Sequence, residues 1–391
     1  MRILMLNNEF PPLGGGTGTV NKALLQRMAQ MPSLEIDLVT SAEGAEFVEQ
    51  HFAERIHIYK LPVRRSDIHH ASNRELLAYA ARALGFAMRR QLACPYDLCM
   101  AWSAVPAGGT ALALRRLTGL PYLVRVCGPD IPGFERRYRR LYPFLTPVIK
   151  AIWRSAETVV AKCSEEADLI HAVDGRVPVT LIPNGVDMSS FRQNTRPQRN
   201  FPLRLLCVAR LIERKGQKQL IEAVHLLSQG GVDVRLDLIG TGDAQPAYQE
   251  QVKQLGLEDK VRFLGYVPRQ WIADHYASAD VFVLASYSEG MSVATLEAMA
   301  AGLPLVVTHT GGTADLVVEG VNGLTFNWGD VYALSSHLLA LSNDRVLVRR
   351  MGVASRHRAG MFSWEAAAER YLGLFASLVS PNLFPEMENA A

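Results

Sequence analysis

Cysteine is scarce: the 391 residues hold five, Cys94, Cys99, Cys127, Cys163 and Cys207, an odd number with no C-x-x-C pair. That excludes a disulfide framework and offers no zinc site, so these thiols are expected to be reduced and mostly buried. Charge of one sign is lacking too. The 41 Lys and Arg against 38 Asp and Glu leave +3, too little for a nucleic-acid binder, which needs a strongly basic domain or patch. Long apolar runs are missing. The uncharged stretches 98–114 and 298–314 contain Pro and Gly, and both fall short of the roughly 20 apolar residues of a membrane span. The apolar start stops before Asn7, too early for a secretory signal, and a cytoplasmic protein is expected. There is neither a G-x-x-x-x-G-K-[ST] string for a P-loop nor a D-x-D string to hold a metal.

What is present is an ordinary globular composition, 49% hydrophobic and 20% charged. At roughly 100 to 200 residues per domain the length predicts two or three domains. Short apolar runs alternating with amphipathic segments predict an α/β chain of two doubly wound halves. In the first half, strands are expected at 3–6, 36–39, 123–126 and 158–161, with a Gly-rich loop at 11–19, a helix from about 20 to 31 and another over 165–171. A strand ending at Pro183-Asn184-Gly185, followed by the polar run 192–200, marks a junction. The second half predicts strands at 203–208, 235–239, 261–264, 281–284 and 304–308. A last amphipathic helix covers about 364–378. Two such sheets expose their ligand-binding strand ends on either side of a cleft.

The sharpest chemical feature is 289–300, directly after a strand, where Glu289 and Glu297 stand eight positions apart. Ser292 is a candidate N-cap, which puts Glu289 in the loop and Glu297 inside the helix. At about 1.5 Å rise per residue the two carboxylates are expected on the order of 8 to 10 Å apart, near the span of a ribose and a sugar at opposite ends of a diphosphate. Between them the helix N-terminus offers backbone N–H groups to anionic oxygens. Glu297 can accept hydrogen bonds from vicinal hydroxyls, as acidic residues do toward ribose in dinucleotide folds. Upstream, Arg210 and Lys215 follow another strand end and are placed to clamp a pyrophosphate whose negative charge grows as it departs. Arg214, between them, reads as a solvated surface residue. Taken singly, each of these charges also fits an exposed loop or helix face.

R-L-x-x-x-K-G at 210–216, with E-G-M-S-x-x-x-L-E-A-M-A-x-G-x-P at 289–304, closely resembles the retaining glycosyltransferases of family 4. The resemblance spans nearly the whole chain through F-P-P-x-x-G-G at 10–16, P-N-G-V-D at 183–187, G-T-G at 240–242, F-L-G-Y-V at 263–267, T-G-G-T-A-D-L-V at 310–317 and G-V-N-G-L at 320–324. It implies the GT-B fold: an acceptor domain at 1–188, a nucleotide-sugar domain at 189–363, and a C-terminal stretch 364–391 returning to the first domain. It further implies that Arg210 and Lys215 bind the donor diphosphate, Glu297 the ribose hydroxyls and Glu289 the transferred sugar. The backbone at Gly290, Met291 and Ser292 would complete that site, Val267 would face the base, and Gly15 and Gly16, on the loop opposite, would also bind the donor. Arg210, Lys215 and Glu289 are the expected catalytic residues.

The family often carries V-x-H-x-x-D after a strand of the first domain, where this chain has Val-Arg-Val-Cys-Gly-Pro-Asp at 124–130. Cys127 therefore stands where that His would be, and Asp130 is retained. A thiol reproduces neither the hydrogen bonding nor the charge of imidazole. Both residues are candidates for sugar or acceptor contact, and Cys127 is also weighed as a nucleophile. Residues 125–162 carry eight Lys and Arg against three acidic residues. The basic segment 134–154, with interleaved apolar residues, fits either an anionic membrane surface or a solvated face, and Pro143 and Pro147 are expected to interrupt any long helix there. The resulting expectation is a transfer of sugar from a UDP- or GDP-sugar to a carbohydrate or lipid-linked acceptor, without cofactor, metal or nucleic acid. An epimerase or phosphorylase on the same fold and a non-catalytic sugar-nucleotide binding module are the rival readings.

Overall fold

The structure is a computed structural model and describes residues 1–66, 71–134, 138–192 and 202–379. Two compact units divide the chain: Met1–Pro183 together with the chain from Trp364 onward, and Asn184–Ser363.

The first unit is built on an eight-stranded sheet. Its strands are β1 (Arg2–Leu6), β2 (Glu35–Ser41), β3 (Val48–Ala53), β4 (Ile56–Leu61), β5 (Leu98–Trp102), β6 (Tyr122–Arg125), β7 (Val159–Ala161) and β8 (Val179–Leu181), in the order β3-β4-β2-β1-β5-β6-β7-β8. Only β3 runs antiparallel to its neighbour. β1 and β5 are buried almost without a break, as strands covered by helices on both faces must be. The order reverses between β1 and β5, and the Gly-rich loop leaves the end of β1 at this switch point. The helix Trp364–Val379 buries Trp364, Tyr371 and Phe375 in this unit and ties to the helix Gly16–Met28 through an Arg27–Glu365 ion pair of 2.6 Å.

The second unit holds β9 (Leu203–Val208), β10 (Val234–Ile239), β11 (Val261–Gly265), β12 (Val281–Leu284), β13 (Leu305–Thr308) and β14 (Gly323–Phe326), all parallel, in the order β11-β10-β9-β12-β13-β14. This is the doubly wound order, with its switch point between β9 and β12.

Several expectations from sequence need correction. The first helix begins at Gly16 rather than near 20. Its opening glycines cost helix propensity, but the first-turn N–H groups have no helical acceptor in any case, and Val20, Leu24, Leu25 and Met28 anchor the helix by burial. The helix Tyr142–Ser155 runs through Pro147. Pro143 sits in the first turn, where it forfeits nothing, and Pro147 forfeits one ladder bond in a helix held by buried Ile149, Ile152 and Trp153. Residues 135–137 of the basic cluster and 193–200 of the polar run lie outside the described residues.

The long helix Asn73–Ala93 opens on a capping box: Ser72 Oγ accepts from the Glu75 backbone, and Glu75 accepts from Ser72 N at 2.6 Å. Glu75 also accepts from Ser66 N at 2.6 Å. These donors, the Ser72 backbone first, hold its carboxyl down at about 2 against an ordinary 4.5. Glu75→Gln keeps the shape and removes the charge, so it is expected to cost about 1 kcal/mol at pH 7 in urea unfolding. The deficit shrinks on acidification below an ordinary 4.5 and vanishes below about 2, because the depressed carboxyl stabilises the fold only while it is ionised.

Candidate active site

At the switch point of the second unit, the chain leaving β9 makes a tight turn, Glu213–Lys215, closed by Gly216 at φ 66°. A Cβ at Gly216 would stand 1.9 Å from the carbonyl oxygen of Ala285. Only glycine lets this turn lie directly against the end of β12, and that approach carries Lys215 to Glu289. Glu289 Oε1 accepts from Lys215 Nζ and, at 2.6 Å, from Ser286 Oγ. Ser286 is itself fixed, its carbonyl accepting from Thr308 Oγ1 at 2.6 Å. Lys215 and Glu289 are both largely buried, with side-chain exposures of 14% and 11%.

Arg214 is not the solvated residue expected from sequence. It is half-buried, donates to the Ser288 carbonyl at 2.8 Å and accepts from Tyr287 N at 2.8 Å, bracing the loop that presents Glu289. Burial, with Arg214 and Arg210 behind it, pulls the Lys215 ammonium down despite Glu289. Burial alone would push the Glu289 carboxyl up, yet Lys215 and Arg214 outweigh it and hold the carboxyl below its ordinary range. Acid and base move in the same direction for different reasons: burial dominates at Lys215, whereas the charges of Lys215 and Arg214 dominate at Glu289. Arg210, at the rim, is exposed.

Beyond Glu289 the backbone turns through Gly290 and Met291 to Ser292, which caps the helix Val293–Ala300 by accepting from Thr295 N at 3.3 Å. Two elements hold this turn. Asn184 Nδ2 donates to the Met291 carbonyl at 2.9 Å. Gly312, in the helix Gly311–Leu316, packs so closely that a Cβ there would lie 1.2 Å from the Gly290 carbonyl oxygen. Glu297 is buried to 6% exposure and accepts from Arg269 Nη1 at 3.2 Å and from Tyr276 Oη at 3.0 Å. Burial raises its carboxyl, with Arg269 and Tyr276 opposing. Arg269 and Tyr276 come from the helix Arg269–Ser278, which follows the half-buried Val267 in the loop after β11.

In the first unit Gly15 and Gly16 are exposed, and a Cβ at either would meet nothing within 4 Å. Packing therefore does not demand glycine there. At the end of β6, Cys127 N donates to Asp130 Oδ2 at 3.0 Å. Burial, then Asp130, pushes the Cys127 thiol up to about 11, which disfavours the thiolate that a nucleophile needs. Burial likewise raises Asp130 to about 6, against the backbone N–H groups of Cys127, Ala104 and Val105 and the charge of Lys162.

Residues 191–358 match the family described as glycosyl transferases group 1, and residues 15–185 match the glycosyl transferase 4-like domain. The chain is 27% identical to mannosylfructose-phosphate synthase of Agrobacterium fabrum, with 97% of this chain and 90% of that protein covered. The chain belongs to the group 1, family 4 glycosyltransferases. Solved structures show the same GT-B fold for this glycosyltransferase. Sucrose-phosphate synthase from Thermosynechococcus elongatus matches with a TM-score of 0.86 at 21% identity, over 98% of this chain and 100% of that one. Anabaena HepE in complex with UDP-glucose matches with a TM-score of 0.76 at 20% identity, over 96% and 100%.

Within the glycosyltransferase the structure brings Lys215 and Glu289 together and sets Arg214 behind them. Glu297 lies in a separate cluster with Arg269 and Tyr276. Sequence reasoning assigned no role to Asn184, Ser286, Arg269, Tyr276 or Gly312. Asn184 and Gly312 fall inside strings already singled out, P-N-G-V-D and T-G-G-T-A-D-L-V, and those strings were the available signal.

Proposed function

We propose that the chain is a retaining hexosyltransferase that moves a sugar from a UDP- or GDP-sugar to an acceptor hydroxyl in the synthesis of surface polysaccharide, lipopolysaccharide or glycolipid. The observation that carries this reading is the buried Lys215–Glu289 pair, with Arg214 braced behind it, at the β9/β12 switch point. Such a site attracts a diphosphate and neutralises it as it leaves. Lys215 and Arg210 supply the neutralisation that a divalent metal provides elsewhere, and no metal is assigned to the reaction. The binding of UDP-glucose by HepE agrees with a nucleotide-sugar donor.

The bond from the sugar's anomeric carbon to the β-phosphate oxygen breaks, and its electron pair leaves with the nucleoside diphosphate. The acceptor oxygen forms its bond on the same face and passes its proton to the departing phosphate. Lys215 and Arg210 hold the phosphate, Glu289 meets the transferred sugar through its second oxygen, and the backbone of Gly290, Met291 and Ser292 completes the site. Glu297 receives the ribose hydroxyls and Val267 faces the base. Gly15 and Gly16 bind the donor, and Cys127 and Asp130 contact the sugar or the acceptor.

The protein is proposed to work in the cytoplasm, touching the inner face of the membrane through the segment 134–154. Phe144 and Val148 are exposed on the helix Tyr142–Ser155, at 78% and 50%. One turn apart, they form an exposed apolar stripe suited to a lipid surface. Among the described residues no helix is long and apolar enough to cross a membrane.

Incubation with a panel of UDP- and GDP-sugars, with and without acceptor extract, followed by mass analysis, tests the reading. Nucleoside diphosphate release accelerated by extract, with one hexose added to the acceptor, supports it. A requirement for free phosphate, or turnover of donor with no acceptor product, refutes it. Glu297→Ala is expected to raise the donor KM about tenfold while kcat changes little, since a lost charge-assisted hydrogen bond to a distant hydroxyl weakens ground and transition state alike.

A further inference from the structure

The hairpin β3–β4 closes one edge of the first sheet, far along the strand order from the Gly-rich loop. Its register puts His51 directly opposite His57 and Glu49 opposite Tyr59, so Glu49, His51 and His57 share one face. The two imidazoles lie edge to face with centroids 4.7 Å apart. Glu49 Oε1 stands 3.9 Å from His57 Nδ1, too far for a hydrogen bond. That nitrogen is buried and has no hydrogen-bond partner. One ligand atom from each residue falls within 4.8 Å of the others.

An orphaned, buried ring nitrogen beside a second imidazole and a carboxylate is costly for an edge strand unless something occupies the space between them. We propose that Glu49, His51 and His57 bind a divalent first-row transition ion of the zinc type, clipping β3 to β4.

The donor set is right for such an ion. Two neutral imidazoles and one carboxylate make three protein ligands, and a tetrahedral ion keeps a fourth position for water. A tetrahedral ion bound at about 2.0–2.1 Å sets its ligand atoms about 3.3 Å apart, so the three must draw inward by about 1.5 Å or less. Glu49 and His51 are exposed and free to make that adjustment, whereas His57 is half-buried and held against Tyr59, which fixes the centre of the site. Magnesium and calcium, which prefer all-oxygen sets, are excluded by the same chemistry. Sequence spacing hides the site, because Glu49 and His51 sit on one strand and His57 on the next, joined only by register.

The clip has a physical use at this position. An edge strand leaves one row of backbone groups unpaired, and the β3–β4 register already slips between His51 and Ala53. An ion bridging the strands where the register slips would hold the hairpin together on the side where no further strand does. The site belongs to the sheet edge and takes no part in transfer.

The test uses the full, untagged chain freed of metal. Zn²⁺ titrated by calorimetry is expected to bind one ion per chain at this site, and Co²⁺ at the same site to give the visible bands of a four- or five-coordinate imidazole complex. His51→Asn and Glu49→Gln, both exposed positions, are each expected to weaken binding about tenfold or more. Their melting temperatures without metal should match wild type. In hydrogen exchange, Zn²⁺ should slow the amides of β3 in the wild type and not in His51→Asn. An unchanged zinc affinity in both variants, or β3 exchange indifferent to Zn²⁺, overturns the proposal.

Discussion

Lys215→Ala is expected to lower kcat by about two to three orders of magnitude, with a much smaller change in donor KM. On the proposed reaction, the size follows from removing one fixed charge aimed at an oxygen that becomes more anionic in the transition state, in a buried site where water screens little. The ammonium is already desolvated and already engaged by Glu289, so the enzyme bears its reorganisation before substrate arrives. Lys215→Arg should not restore the rate, because the side chain is largely buried and a planar guanidinium differs from an ammonium in bulk and reach. Removing the ammonium also leaves the buried Glu289 with fewer partners, so some loss of stability accompanies the kinetic effect. Calorimetric titration with UDP and GDP separates the two. A variant that binds nucleoside diphosphate nearly normally but turns over slowly confirms a transition-state role, whereas full transfer activity removes Lys215 from the reaction.

The second large effect is expected from a single methyl group. Gly312→Ala would place a Cβ 1.2 Å from the Gly290 carbonyl oxygen and 2.2 Å from its carbonyl carbon. No rotamer change relieves a clash between a Cβ and backbone, so either the Gly290–Met291 turn or the helix Gly311–Leu316 must move by roughly 2 Å to restore van der Waals separation. Misplacement of reacting groups by about 1 Å can cost on the order of a hundredfold in rate, and transfer should fall at least that far. Thermal unfolding should also move down, because Gly312 N donates to the Glu289 carbonyl at 3.4 Å and that link would open. Near-normal transfer by Gly312→Ala would show that the turn is not held in the geometry described.

These two residues also mark what sequence can and cannot disclose. β9 and β12 are legible to the residue, because buried parallel strands read as short apolar runs. β3 is not, since Val-Glu-Gln-His-Phe-Ala alternates weakly on an exposed edge. β14 begins on a glycine and spans four residues, below what periodicity resolves. β5, Leu-Cys-Met-Ala-Trp, falls in an uncharged stretch weighed only against a membrane span. In the site, Lys215, Glu289 and Ser292 stand out through local context: a strand end, a basic turn, a cap. The Lys215–Glu289 pair joins positions 74 apart, and only the β9/β12 adjacency makes it. Arg269, Tyr276 and Gly312 matter through approaches between elements that no spacing rule encodes.

Asn184 opens the second unit, and its side chain holds the Met291 carbonyl in the turn beside Glu289. Val186 N, two residues on, donates to the Phe362 carbonyl at 2.8 Å, close to where the unit ends. Excision of the second unit as a stand-alone fragment would therefore have to begin at or before Asn184. A cut at 189, the border the family resemblance implies, would discard the peg that shapes the turn beside Glu289 and leave that turn without its Asn184 partner.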